Sequence, residues 1–122
     1  MLKLASVLCF FIGLAHSMLG EKYILVRLLR FEKLPRLSGN DHFTRHTLRF
    51  AWHLTTVAWW GFGVLLWTVT GGGDMMHVVL LTSGTVFLIS GLLSFVFTRG
   101  RHLSWIVFWA IAAISLAAAL AG

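Results

Sequence analysis

Charge is missing from four long stretches of this 122-residue sequence: Leu4 to Gly20, Phe50 to Gly73, Met75 to Thr98 and His102 to Gly122. With 58% of its residues apolar and a positive mean hydropathy, the chain departs from an ordinary soluble domain, whose apolar share is nearer half. A helix rising about 1.5 Å per residue needs roughly 20 residues to cross about 30 Å of hydrocarbon. The second, third and fourth stretches meet that length directly. The first is shorter, and Lys3 followed by an apolar run ending in Ala15-His16-Ser17 also fits a signal peptide with a small-x-small cleavage site. Apolar character resumes at Met18-Leu19 and again at Tyr23-Ile24-Leu25-Val26, which favours an uncleaved first helix.

Other absences narrow the function. A single cysteine, Cys9, rules out an internal disulfide and reads as a small packing residue in an apolar span. Only four acids are present, none in the middle of a span, so an exporter coupled to protons through a membrane-buried carboxylate has no residue to carry the coupling. There are no paired acids and no evident nucleophile–base arrangement, so the catalytic residues are unknown and an enzyme would need a bound cofactor. The net charge of +6 would suggest nucleic acid in a soluble protein. Here the basic residues sit in particular connectors, the pattern of membrane topology, and no nucleic-acid partner is expected.

The expected fold is therefore all-α: a polytopic integral membrane protein forming one four-transmembrane-helix bundle over residues 1–122. The spans fall at about 4–20, 47–70, 76–98 and 102–121, with an amphipathic interfacial segment over 22–34. In that segment Ile24, Leu25, Leu28, Leu29 and Phe31 alternate with Lys22, Arg27, Arg30 and Lys33 up to the only proline, Pro35. It reads as a helix lying in the interface or as an extension of the first span. Ser38-Gly39-Asn40-Asp41 reads as a turn, with Asp41 the N-cap of a helix starting near His42. Of ten Lys and Arg residues, seven lie between Lys22 and Arg49 and two more are Arg99 and Arg101, whereas Gly71-Gly72-Gly73-Asp74 carries only an acid. The positive-inside rule puts both basic connectors in the cytoplasm and both termini on the other side of the plasma membrane, the inner membrane in a bacterium.

Counting alternately four and three residues from His42 gives His46, Arg49, His53, Thr56, Trp60, Gly63 and Trp67 on one helix face. Polar groups in lipid are costly unless partnered, so this stripe should face a neighbouring helix. The first helix offers a matching face of Ser6, Cys9, Gly13, His16 and Gly20. Antiparallel pairing from the shared basic end predicts two rungs, His16 with His53 and Glu21 with Arg49.

Three readings of these rungs follow. In the first, Glu21 and Arg49 form an interfacial ion pair while the histidines hydrogen-bond to hydroxyls such as Ser94 or Thr98. In the second, His16 and His53 are axial ligands of a haem b, with Arg45 and Arg49 pairing its propionates. In the third, His16, Glu21, His46 and His53 supply a copper, iron or zinc site. Two spacings weigh against a shared ion. His46 and His53 lie about 10 Å apart along the axis, and His16 and Glu21 share a site only if the helix bends near Gly20. His42, His77 and His102 read as interfacial, and Met75-Met76-His77 as a weak soft-metal cluster.

Trp52, Trp67 and Trp105 sit near span ends, where indoles anchor to headgroups, while Trp59, Trp60 and Trp109 are deeper and fill space between helices or line a quinone or lipid pocket. Gly84, Gly91 and Thr98 recur every seven residues and mark a close-packing seam, within the bundle or in a dimer. The functional expectation is a small membrane protein holding a haem or metal at a His/Glu/Arg site. The alternatives are a homo-oligomeric transporter of small molecules or ions and an accessory subunit of a larger membrane complex without a cofactor. The expected partners are the lipid bilayer and a second copy or a larger complex.

Overall fold

The computed structural model describes residues 1–30, 34–36 and 41–121, and among these the regular structure is entirely helical. Four helices are long and apolar enough to span a membrane. Helix α1 runs Leu2–Leu28; α2 covers His42–Thr68, prolonged by a 3-10 turn to Gly71; α3 is Met75–Thr98; and α4 is Ser104–Ala121. The segment expected at 22–34 proves to be an extension of the first helix as far as Leu28. Its residues 31–33, and residues 38–40 of the turn before Asp41, lie outside the described residues.

Within α1, residues Gly20–Leu25 form a π-helical turn in which the Val26 N–H reaches the carbonyl of Glu21 rather than that of the residue one place further on. This wider winding is the irregularity near Gly20 that an α-helical wheel cannot supply, and it re-aims the side chains below it.

The ends of α3 are locally determined. Asp74 is its N-cap, the carboxylate accepting from the N–H groups of Met76 at 3.0 Å and His77 at 3.3 Å. Gly72, at φ +71°, supplies the left-handed turn before it. Asp74→Ala is therefore expected to cost about 1 kcal/mol of stability, measurable by SDS titration in mixed micelles. At the other end Arg99 and Gly100 both adopt positive φ, and the Gly100 N–H bonds the Phe95 carbonyl at 2.8 Å, closing the helix before α4.

Successive helices pack on one another, α1 on α2, α2 on α3 and α3 on α4. The first and last of these contacts use tryptophans laid over glycines. A Cβ on Gly13 would fall 2.6 Å from Trp60 Nε1, and Gly20 and Gly91 are covered in the same way by Trp52 and Trp109. Each indole donates its N–H to a carbonyl of the helix it covers: Trp60 to Phe10 (3.2 Å), Trp52 to His16 (3.1 Å) and Trp109 to Leu88 (3.3 Å). The ring gains close packing while its polar atom stays satisfied. Trp52, expected near a span end, clamps α1. The Gly84/Gly91/Thr98 seam lies within the chain, with Leu116 and Trp109 of α4 against the two glycines.

The buried hydroxyls Ser6, Thr56, Ser90, Ser94 and Thr98 line these seams, whereas Phe11, Phe62, Ile114 and Leu120 are strongly exposed. Small and polar residues between helices with large apolar ones outside is the distribution that hydrocarbon solvent rewards.

Candidate functional site

At the end of the α1–α2 pair that leads into the basic connector, four polar side chains form a continuous chain. Glu21 Oε1 lies 2.7 Å from an Arg49 guanidinium nitrogen, Glu21 Oε2 lies 3.3 Å from His53 Nε2, and His53 Nδ1 lies 2.6 Å from the Ser17 hydroxyl. Ser17 and Glu21 are four residues apart on α1, as Arg49 and His53 are on α2, so each pair presents one face and the antiparallel helices bring the faces together. Phe97 of α3 lies against His53 with ring centroids 6.0 Å apart. The His53 side chain is 19% exposed, against about a third for Glu21 and Arg49. The imidazole is thus the inner member and the ion pair the outer one.

The predicted Glu21–Arg49 rung is present, but the predicted His16–His53 rung is not. His16 lies on the flank of the seam, its ring stacked on Trp52 at 4.3 Å and edge-on to Trp59 at 4.8 Å. Its Nε2 bonds the Thr55 hydroxyl at 3.0 Å, and since that hydroxyl donates to the Trp52 carbonyl, the imidazole is the donor. Helical periodicity allows a step of three or four from Gly13. The structure takes four, so Ser17 occupies the seam and His16 is turned roughly 100° away from it. Ser17 was missed in the sequence, although its spacing of four from Glu21 was available as a signal.

The remaining candidates serve other contacts. His46 Nδ1 donates to the His42 carbonyl at 2.9 Å, and the two imidazoles stack 3.9 Å apart. Asp41 stands at the N-cap of α2 as expected, but its carboxylate makes no capping bond and pairs with Arg45 at 2.5 Å. The Arg45 guanidinium holds the Asp41 carboxyl below its usual range. Whatever this partly exposed pair adds to stability is present above the unfolded-state value and lost as pH falls through the folded one. The hydroxyls expected to serve His16 and His53 serve His102 instead. Its Nδ1 lies 2.8 Å from Ser104 Oγ, which contacts Ser94 Oγ at 2.7 Å, and Thr98 Oγ1 accepts the His102 N–H at 3.2 Å.

Among the described residues no group of three or more His, Cys, Asp or Glu side chains is placed to hold a metal ion. His16, Glu21, His46 and His53 are accordingly not assembled as a common donor set. Both ring nitrogens of His53 are already engaged by Ser17 and Glu21, and His16 is held by Trp52 and Thr55, so the imidazoles as placed do not fit a shared haem either.

The order serine, histidine, carboxylate resembles the arrangement of a hydrolase, yet two features oppose that chemistry. Glu21 already neutralises Arg49, and Ser17 sits within a helix whose backbone N–H groups are committed to the helix itself, leaving no oxyanion-stabilising pair beside the hydroxyl. The arrangement instead ties the two helices together through one continuous run of side-chain contacts, Ser17 to His53 to Glu21 to Arg49. What the fold and site define is an all-helical chain with four span-length apolar helices and a polar bridge between the first two. Compared with protein families, curated proteins and solved structures, the chain matches none of them.

Proposed function

We propose that this is a four-span integral membrane protein, with its basic connectors in the cytoplasm and both termini outside, acting in transport through a proton-operated latch at the cytoplasmic end of α1 and α2. The observation that carries the latch is the single Glu21 carboxylate shared between Arg49 and His53. A purely structural pair would be complete with Glu21 and Arg49, and His53 adds a protonatable third member joined to Ser17 on the facing helix. With His53 neutral, one ring nitrogen donates and the other accepts. Protonation makes both nitrogens donors and turns the contact to Glu21 into a charge-assisted bond, about twice as strong as a neutral one. Acidification thus tightens the mouth between α1 and α2.

The test uses nitroxide labels at the exposed positions Ile24 and Leu48 in a Cys9→Ser background. On acidification the interlabel distance distribution should shorten and narrow, and Glu21→Gln should abolish the response. An unresponsive parent protein, or an equal response in the variant, would sink the latch. The cofactor reading needs His53 to leave both of its partners, and no contact favours it. A Soret band or stoichiometric metal in the purified protein would restore it.

A further inference from the structure

Beside the latch, a cavity of about 290 Å³ opens between the lower end of α1 and the first turns of α2. Its lining is Val26, Leu29, Arg30, Arg45, His46 and Arg49, so three guanidinium groups and an imidazole face two aliphatic residues, and no described acid borders the space. Leu29 is buried and forms a fixed apolar floor.

The cations are not all neutralised by their neighbours. Arg49 gives one terminal nitrogen to Glu21 while its guanidinium also lines the cavity. Arg45 is engaged by Asp41, and Arg30, exposed on the turn that follows α1, forms no ion pair among the described residues. His46 uses Nδ1 on the His42 carbonyl, leaving Nε2 as its free polar atom. Grouping cations around a cavity is electrostatically unfavourable unless an anion offsets it. Arginine presents a planar fork of donors matched to tetrahedral oxyanions, and Arg30 and the Nε2 of His46 have no such partner of their own among the described residues.

We infer that this cavity is a binding site for a phosphoryl group, held by Arg30, His46 and Arg49 with Arg45 at its edge. In the proposed topology it lies at the cytoplasmic level of the headgroups, so the same chemistry is offered by an anionic phospholipid and by free phosphate or a phosphorylated metabolite. The site shares Arg49 with the latch, but Arg30 and His46, whose substitution tests it, take no part in that chain of contacts.

The whole 122-residue chain is the material for the test, in two arms. In the first, inorganic phosphate is titrated into detergent-solubilised protein by calorimetry. In the second, the protein in phosphatidylcholine nanodiscs is compared with protein in nanodiscs containing phosphatidylglycerol or phosphatidic acid, the number of retained lipids being read by native mass spectrometry. Arg30→Gln and His46→Gln should each weaken binding about tenfold, the scale of one lost charge-assisted contact. Arg99→Gln, which removes the same charge outside the cavity, should change it less than about twofold, the size of a bulk electrostatic effect. Thermal unfolding of Arg30→Gln, altered at an exposed turn, reports whether that variant is folded. Binding in the phosphate arm identifies a soluble phosphoryl ligand, and retention confined to the acidic nanodiscs identifies a headgroup. Binding in neither arm, or equal weakening by Arg30→Gln and Arg99→Gln, overturns the assignment.

Discussion

Glu21→Ala should lower the stability of the folded protein by about 2–3 kcal/mol, the range in which a charged hydrogen bond is lost and a partly buried charge is stranded. The carboxylate holds two groups of α2 at once, Arg49 at 2.7 Å and His53 at 3.3 Å, so its removal leaves a guanidinium whose Nε already lacks a partner. The full penalty for an uncompensated buried charge is not expected, because both members of the pair remain about a third exposed. Arg49→Met should cost less, since the aliphatic stem is kept and the remaining carboxylate still has His53. The double variant should fall short of the sum of the two by at least about 1 kcal/mol, the signature of two groups acting on each other. SDS titration in mixed micelles measures all three. Strict additivity would mean that the pair is a surface contact of no energetic consequence.

Gly20→Ala should be nearly as damaging, at about 2–3 kcal/mol, the upper part of the usual range for forced overpacking. The added methyl would occupy the position of the Trp52 ring, and three indole atoms lie within contact distance of it. Trp52 cannot yield freely, because its N–H is bonded to the His16 carbonyl and its face is stacked on the His16 ring. The substitution also stands at the first residue of the π turn and next to Glu21, so a displaced α1 carries the carboxylate with it. Gly71→Ala is the control, since nothing lies within 4 Å of a Cβ there and its backbone needs no positive φ. It should stay within about 0.5 kcal/mol of the parent. Tryptophan fluorescence should change in Gly20→Ala and not in Gly71→Ala.

Much of the frame was legible in the sequence because lipid solvent leaves a coarse signature. Uninterrupted apolar length marks the four helices, and a polar stripe flanked by small residues marks the face they share. Ser6, Gly13 and Gly20 of α1 do meet Thr56, Trp60, Gly63 and Trp52 of α2, and the Glu21–Arg49 pair follows from matching depth on antiparallel helices. What the wheel could not decide is a difference of one residue. A period of 3.6 accommodates His16 and Ser17 equally well after Gly13, and choosing between them changes the site from a pair of imidazoles to a serine–histidine–glutamate chain. The π turn beginning at Gly20 was equally hidden, because it depends on hydrogen-bond register rather than residue type. The cavity beside Arg49 was invisible for a third reason. It joins residues 26–30 to residues 45–49 across the connector, and no local pattern announces that meeting.

The shared carboxylate is most directly examined by magic-angle-spinning NMR of the full chain in lipid bilayers, with the Glu21 carboxyl carbon, the Arg49 guanidinium nitrogens and the His53 ring nitrogens labelled. The carbon should show short-range dipolar contact to Arg49 and to His53 Nε2 in the same sample, with His53 Nδ1 shifted by its bond to Ser17. A Glu21 carboxyl in contact with neither nitrogen, or a His53 ring whose nearest labelled partner is His16, would contradict a bridge between the first two helices.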